Sequence, residues 1–432
     1  MAFIPEIEKK TLEEQEAFQL IRLKEVLLYL QHKSRFYQKL FRKNNIEPNQ
    51  ILALTDLQRL PTTSKADLQQ YNNDFLCVTR DQVKEYTATS GTLGAPVYIA
   101  LTQNDLDRLA YNEYLSFQSM EVTEKDTFQL MLTLDRQFMA GTAYYAGLAK
   151  TGAAVIRTGP GLPAMQWDTI FQLEPTGLVA VPSFLVKMAD YAKLKDIDPS
   201  VCKVKKVLAI GETLREDNFA PNALARKIQE TWNIDLYGTY ASTEMQTAFT
   251  ECSAAAGGHH HPELIIVEII DEEGKPVPPG EKGEVTITTL GVEAMPLLRY
   301  RTGDICRAYY EPCSCGRNTM RLGPVLGRKQ QMIKFKGTTL YPPVIFDVLN
   351  QIEQIKEYVV DVRTGEHDQD ELSLYLYSAL SPEACNDIIK PLFQHKWRVT
   401  PQVNYVTSEE IARMQFANNS RKPVKFRDNR IH

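Results

Sequence analysis

Apolar positions repeat along this chain with two different spacings. From residue 20 to 30 leucines recur every three or four positions, which predicts one helix over residues 11–44. A second helical spacing covers residues 105–120, with Asn104 as the expected N-cap. Between 126 and 210, short apolar strands alternate with helical segments, and this alternation is typical of a mainly parallel α/β sheet.

The pattern changes after residue 235, where β-rich runs are separated by proline and glycine turns. This pattern of short β-rich runs and turns indicates an antiparallel or barrel-like subdomain. A basic junction near 327 then precedes a short alternation of strands and helices. The predicted fold class is therefore α/β. A large N-terminal α/β domain with parallel sheets and a barrel-like β subdomain, residues 1–326, precedes a small α+β domain, residues 327–432.

Length, net charge and the distribution of apolar residues exclude several classes of protein. A chain of 432 residues is too long for one compact core. Its net charge is −5 and its lysines and arginines are scattered, so a nucleic-acid surface is not expected. No apolar run approaches the roughly 20 residues of a membrane span, and the N-terminus is too acidic for a signal peptide. We expect a soluble cytoplasmic protein without a membrane or nucleic-acid partner.

Three cysteines and one histidine suggest a metal site. The seven cysteines are an odd number in a long chain, which favours reduced thiols or a metal over a disulfide framework. Three sulfurs and one imidazole would complete a closed tetrahedral Zn²⁺ site. The alternatives are two unrelated reduced cysteine loops, or an imidazole from a neighbouring histidine of the run 259–261. The candidate zinc ligands are Cys252, His259, Cys313 and Cys315.

Two polar segments could hold a nucleotide phosphate and its metal. In 89-TSGTLGAP-96, glycines let backbone N–H groups turn toward a ligand and the hydroxyls add donors. A glycine-rich hairpin turn is the alternative. The segment 237-YGTYASTEM-245 reads as a loop in which Glu244 is either a Mg²⁺ ligand or a solvated carboxylate.

Two further segments complete the set. In 299-RYRTGD-304, Asp304 ends a strand in a glycine turn, where it either accepts sugar hydroxyls or simply forms the turn. The segment 327-GRKQQMIKFKG-337 is either a hinge or a solvated basic junction.

In this order the four segments resemble those of the adenylate-forming (acyl-CoA synthetase and ligase) superfamily. The chain is most similar to its phenylacetate–CoA ligase branch, on the further segments 36-FYQKLFRKNNI, 58-QRLPTTSKADL and 180-AVPSFL. Some members of that branch have a Cys/His cluster in the same region, and alignment through 264-LIIVEII favours His259. The resemblance implies catalytic roles for Lys422, Glu244 (through Mg²⁺) and Arg328. It implies nucleotide contacts for Thr89, Ser90, Gly91, Thr92, Gly94, Gly211, Glu212, Tyr240, Ala241, Ser242, Thr243, Asp304, Lys336 and Gly337.

The chain also departs from the pattern that it resembles. Ala95 stands where a lysine is usual, which removes a cation from the phosphate loop, and Gln330 occupies the hinge position of an acid or lysine. Lys425 is a rival for the role of Lys422. The other departures are Leu93, Ala241 and Arg421.

The resemblance implies an ATP-dependent carboxylic acid–CoA ligase, which forms an acyl-adenylate and then an acyl-CoA thioester. The substrates would be ATP, coenzyme A and a small carboxylic acid, such as phenylacetate or another acyl acid, with Mg²⁺ and a structural Zn²⁺. The acid would lie near residues 138–145 and 211–246, with Thr239 among the candidates. A homodimer is left open. The alternatives are an adenylating enzyme with another acceptor and a non-catalytic nucleotide-binding relative.

Overall fold

The computed structural model describes residues 3–89, 96–335, 338–365, 370–397, 400–416 and 423–430. The described residues divide into two compact units, one within residues 3–89 and 96–325 and the other from residue 326 onward. The boundary expected between residues 326 and 327 is one residue from this division. None of the described helices combines the length and apolar character that a membrane span needs.

Two helices, not one, open the first unit. In α1 (Leu12–Lys33), Thr11 forms a capping box with Glu14, and the buried face carries the leucines expected from their spacing. Ser34 ends α1 and caps α2 (Arg35–Asn44) by accepting a hydrogen bond from the backbone of Tyr37. The single helix predicted over residues 11–44 is therefore wrong, because the Ser34 hydroxyl starts a second helix.

The described residues of this unit form six more α-helices. They are α3 (Lys65–Phe75), α4 (Gln103–Ser119), α5 (Met139–Thr151), α6 (Pro163–Leu173), α7 (Pro182–Leu194) and α8 (Ala223–Thr231). Thr102 caps α4, since its hydroxyl accepts a hydrogen bond from the backbone of Asp105. The predicted cap at Asn104 is wrong: that residue lies inside the helix.

A mainly parallel sheet forms the centre of the first unit, beside a short antiparallel pair, β1 (Glu85–Ala88) and β2 (Tyr98–Leu101). Its strands are β3 (Thr127–Leu130), β4 (Ala154–Arg157), β5 (Gly177–Ala180), β6 (Lys206–Ala209), β7 (Asp235–Ser242) and β8 (Thr247–Thr250). Their order is β4-β3-β5-β6-β7-β8, and all neighbours are parallel except β7 and β8. The predicted parallel α/β sheet is confirmed.

A second, antiparallel sheet follows in the same unit. Its strands are β9 (Gly258–His259), β10 (Ile265–Ile270), β11 (Lys282–Thr289), β12 (Tyr300–Tyr309) and β13 (Arg321–Leu322), in the order β10-β11-β12-β13-β9. The predicted antiparallel subdomain is confirmed. Asp304, however, lies inside β12, not in a turn after a strand.

The second unit is a small α+β domain, as predicted. It contains β14 (Gly327–Arg328), β15 (Ile333–Phe335), β16 (Thr338–Leu340), α9 (Pro342–Asn350), β17 (Ile355–Thr364), β18 (Asp370–Ser378), α10 (Pro382–Trp397), β19 (Gln402–Tyr405), α11 (Ser408–Gln415) and β20 (Phe426–Asn429). A sheet in the order β19-β18-β17-β20 has an antiparallel centre and parallel flanking pairs. Neither α11 nor β20 was predicted from the sequence.

A buried carboxyl lies where α4 and α5 pack most closely. A Cβ built on Gly147 of α5 would lie 2.5 Å from the Cβ of Glu113 on α4, so only glycine fits there. Glu113 is 5% exposed. Burial raises the pKa of Glu113 to about 8, although hydrogen bonds from Ser116 and Asn112 oppose the shift. The carboxyl is therefore largely protonated at neutral pH.

Glu113→Gln should make stability less dependent on pH. In the unfolded chain the Glu113 carboxyl ionises near its ordinary pKa of about 4.3, whereas the folded chain keeps the proton until about pH 8. Between these values the wild type loses up to about 1.4 kcal/mol per pH unit, and the Gln variant does not. The stability difference, measured from melting temperatures, should grow with pH and level off above about pH 8.

The matched control is Glu124→Gln, which removes an exposed carboxyl nearby in the chain and should not change the pH profile. A difference between Glu113→Gln and wild type that is constant over this range would contradict the buried, protonated state.

Candidate functional site

A partly buried hydrogen bond connects the two sheets of the first unit. Tyr240 of β7 donates its hydroxyl to Oδ2 of Asp304 on β12, at 2.9 Å. Burial, and then the charge of Asp304, raises the pKa of Tyr240 well above its ordinary value. The hydroxyl therefore remains a donor and orients the Asp304 carboxylate. Two residues predicted to contact a nucleotide meet here.

Glu284 of β11 holds the backbone just before Asp304. Its carboxylate accepts from the Gly303 backbone at 3.1 Å and from Nε of Arg301 at 2.8 Å. The register between β11 and β12 shifts at this point, and Gly303 has φ 79°. A positive φ favours glycine, so this glycine permits the local irregularity that sets the direction of Asp304.

Glu244 lies in the turn between β7 and β8 and pairs with a lysine that the sequence analysis did not select. Nζ of Lys65 is 3.6 Å from Oε1 of Glu244, and the Glu244 side chain is the more buried of the two. Lys65 is the first residue of α3, which Ser64 caps. Its signal in the sequence was the segment 58-QRLPTTSKADL, used there only as a point of resemblance.

The chain just before α3 is fixed to β12. The Thr63 backbone donates to the carbonyl of Arg299 at 3.0 Å and accepts from the backbone of Arg301 at 2.8 Å. This two-point attachment holds the N-terminus of α3, and with it Lys65, beside the strand that carries Asp304.

The segment read as a loop around Tyr240 is mostly strand. Ala241 pairs with Ala248 and Ser242 with Thr247, and only the residues after Ser242 turn. The turn includes the predicted Thr243. The prediction of a loop is wrong because strand pairing with β8 outweighs the local content of small hydroxyl residues.

A buried arginine on α4 fixes the far end of that turn. Arg108 donates to the carbonyl of Gln246 at 2.6 Å and to the hydroxyl of Thr247 at 3.1 Å. The guanidinium also donates to the carbonyls of Leu264 and Leu290. Sequence reasoning missed Arg108, since an arginine inside an amphipathic helix carries no distinguishing local signal.

Other predicted nucleotide residues of this unit occupy strand ends. Thr89 and Val97 exchange hydrogen bonds, with the Thr89 backbone donating at 3.0 Å and its hydroxyl accepting at 3.0 Å. Gly211 has φ 75° and follows β6. The Glu212 carboxylate accepts from the backbone of Ser183 at 2.8 Å, in the first turn of α7, where the helix dipole favours a negative charge.

Several predicted residues lie outside the described part of the chain or in the second unit. Arg328 lies in β14, and the carbonyl of Gln330 accepts from Arg430 at 2.8 Å. The Lys425 ammonium lies 4.8 Å from the ring centroid of Tyr358, so this rival lysine has a cation–π contact. Residues outside the described ranges, whose roles remain predictions, are Ser90, Gly91, Thr92, Gly94, Lys336, Gly337 and Lys422.

The four candidate zinc ligands lie together. Sγ of Cys252 is 3.6 Å from Sγ of Cys313, and Nε2 of His259 is 3.4 Å from the sulfurs of Cys252 and Cys315. In a tetrahedral zinc site with bonds of about 2.3 Å to sulfur and about 2.0 Å to nitrogen, ligand atoms are roughly 3.5–3.8 Å apart. The side chains present therefore fit a Zn²⁺ ion.

Neighbouring groups support this assignment. The other two histidines of the run bond elsewhere, His260 to the carbonyl of Ile265 and His261 to Glu8, so His259 is the imidazole of the cluster. The hydrogen bond between Cys252 and Cys315 lowers the pKa of Cys315 and raises that of Cys252, and the His259 contact lowers the pKa of Cys313. All seven cysteines are free of disulfides.

A mainly parallel sheet and an antiparallel sheet, with the Tyr240–Asp304 hydrogen bond between them, define the first unit as an α/β fold. Residues 38–294, more than half of the chain, match the family model described as AMP-binding enzyme. The chain belongs to this family.

The curated relatives align with most of this chain, and the alignments also include most of each relative's own length. A phenylacetate–coenzyme A ligase of Thermus thermophilus is 29% identical over 87% of this chain and 84% of its own length. The phenylacetate–coenzyme A ligase of Escherichia coli is 26% identical over 84% and 82%. A solved 2-hydroxyisobutyryl-CoA ligase in complex with 2-HIB-AMP shares the fold, with TM-score 0.86, 22% identity and coverage of 98% and 92%.

Tyr240→Phe should weaken AMP binding. Without the hydroxyl, the Asp304 carboxylate loses its orienting donor. A hydrogen bond to a charged group contributes about 1.5–3 kcal/mol, so we expect roughly a tenfold or larger increase in Kd by titration calorimetry. Tyr310→Phe, at an exposed tyrosine, is the control and should bind like wild type. Equal affinity of the two variants would contradict the orienting role.

Proposed function

We propose that this protein is an ATP-dependent carboxylic acid–CoA ligase that releases AMP and pyrophosphate. The observation that carries the proposal is the Asp304 carboxylate, which the Tyr240 hydroxyl orients. Tyr240 lies in β7, and the turn that follows β7 places Glu244 next to Lys65. In a member of the AMP-binding enzyme family, this set supplies an acceptor for ribose hydroxyls and a charged site for Mg²⁺ and phosphate.

The reaction proceeds in two steps. A carboxylate oxygen of the acid attacks the α-phosphorus of ATP, and the bond to pyrophosphate breaks to leave an acyl-adenylate. The thiolate of coenzyme A then attacks the acyl carbon, and AMP departs with the electron pair of the broken C–O bond. Adenylation is needed because a free carboxylate is a poor electrophile, whereas AMP is a good leaving group.

Each residue of the described site has a distinct task in this scheme. Asp304 accepts hydrogen bonds from the ribose, and Glu244 would hold Mg²⁺, which neutralises charge on the phosphates when bound. Lys65 brings a cation next to Glu244 in a chain whose phosphate loop has Ala95 where a lysine is usual. We therefore assign Lys65 to the phosphate groups, where charge accumulates as pyrophosphate departs.

The acid is proposed to be phenylacetate or another small acyl acid. Support comes from the relatives named phenylacetate–coenzyme A ligases, which align over most of the chain. The second unit is assigned a lid function: Arg328 lies at its start, and Lys422 would act on the α-phosphate.

Lys65→Ala should slow carboxylate-dependent ATP–pyrophosphate exchange by at least about tenfold, because the phosphate site loses a positive charge of the kind worth several kcal/mol in the transition state. Lys39→Ala is the matched control, since it removes a lysine from an ion pair with Asp74 at the surface. Equal exchange rates in the two variants would remove Lys65 from the mechanism.

The wild type provides the test of the overall function. We expect exchange with at least one acid of an aryl and fatty acid panel, and AMP formation that depends on coenzyme A. Exchange without a coenzyme A requirement would favour another acyl acceptor. Nucleotide binding with no exchange for any acid would favour a non-catalytic relative.

We also propose that Cys252, His259, Cys313 and Cys315 bind a structural Zn²⁺ ion. The purified protein should contain about one zinc per chain, and a chelator should lower its melting temperature, because metal affinity contributes directly to folding. A content below roughly 0.2 zinc per chain at neutral pH, without chelator, would refute the site.

A further inference from the structure

One cluster ligand has a charged contact that leads to the other end of the chain. Nη1 of Arg317 donates to Sγ of Cys315 at 3.5 Å, and Nε of the same guanidinium donates to Oε2 of Glu8 at 2.7 Å. The side chains of Arg317 and Glu8 are 2% and 0% exposed. A buried ion pair of this kind is costly unless both charges are well paired, so its position beside a metal-ligand set calls for an explanation.

The N-terminal segment also holds the backbone of the ligand loop. The Asn318 backbone donates to the carbonyl of Glu8 at 2.8 Å, and its side chain donates to the carbonyl of Lys9 at 2.7 Å. Within the loop, Cys313 and Arg317 are joined by a backbone hydrogen bond of 2.9 Å. The loop that supplies two of the four ligands is thus fixed by residues 8 and 9.

Among the described residues, no comparable hydrogen bond orients the His259 imidazole of the cluster. Nδ1 of His259 is buried and has no hydrogen-bond partner among the described residues. Outer contacts orient metal ligands and their loss typically costs about 10–100-fold in affinity. In this cluster the charged outer contact is made to Cys315. The Arg317 guanidinium donates to the Cys315 sulfur and is itself paired with Glu8.

The charges are consistent with such a role. Zn²⁺ with three thiolates and a neutral imidazole would carry a net charge of −1, and the Arg317 guanidinium would offset it. Glu8 balances and orients Arg317 from the opposite side. Without Glu8, the guanidinium would lose the partner that keeps it directed at the Cys315 sulfur.

We propose that residues 3–10 act as the outer shell of the metal centre, with Glu8 and Arg317 as positioning residues for Cys315. The metal and this segment then bind to the rest of the chain cooperatively. The inference rests on the zinc site proposed above and adds that the site is completed by the N-terminal segment. Since coupling is reciprocal, a segment that retains the metal must itself be retained by the metal, by the same factor.

Glu8→Gln tests this coupling with Zn²⁺ as the ligand. Competition with a chromophoric chelator should show about 10–100-fold weaker zinc binding for Glu8→Gln. Glu6→Gln is the matched control: it makes the same change two residues away, at a side chain that is 82% exposed, and should remain within about twofold of wild type.

Hydrogen exchange on the wild type gives a second readout that needs no substitution. Removal of zinc should accelerate exchange of the backbone amides in residues 3–10, because a segment that stabilises the bound metal is itself stabilised by it. A protein that binds zinc but shows equal affinities for the two variants, or no change in exchange, would overturn the inference alone. Absence of zinc from the wild type would overturn the metal site itself.

Discussion

The hydrogen bond between Tyr240 and Asp304 is the contact on which the proposed nucleotide site depends. It joins a strand of the parallel sheet to a strand of the antiparallel sheet, so the relative placement of the two sheets determines where the Asp304 carboxylate lies. Because burial raises the pKa of Tyr240 well above its ordinary value, the phenol stays protonated and donates. Glu284 and the positive φ of Gly303 then set the backbone from which the carboxylate projects.

Two arginines, Arg299 buried and Arg215 partly buried, hold chain segments in place around this contact. Arg299 pairs with Glu268 at 2.9 Å and donates to the carbonyl of Leu60 at 2.6 Å, just before the segment that leads to Lys65. Arg215 pairs with Glu251, whose carboxylate also accepts from the Gly238 backbone in β7. Breaking such a buried pair typically costs about 3–5 kcal/mol, since an uncompensated charge remains. These residues therefore affect the site through the position of the backbone.

The cysteine cluster contacts the N-terminal segment through Arg317, which bonds both Cys315 and Glu8. Cys252 follows β8, the strand paired with β7, and Cys313 and Cys315 lie in the loop between β12 and β13. A metal bound by these residues would therefore connect the continuation of β8, which follows the turn with Glu244, to the continuation of β12, which carries Asp304. Its outer contact with Glu8 would couple that connection to the first residues of the chain.

The sequence by itself determined the fold class and part of the candidate sites. Alternating strands and helices predicted the parallel sheet, because this alternation is a property of short stretches, and the resemblance of the ordered polar segments to a known family pointed to Tyr240, Glu244 and Asp304. It did not show that Ser34 divides the first helix or that strand pairing absorbs the segment after Tyr237. Only the tertiary structure selected Lys65, Arg108 and the Glu8–Arg317 pair. Those partners are far apart in the chain, 309 residues for Glu8 and Arg317, and a local pattern cannot specify which buried charges meet.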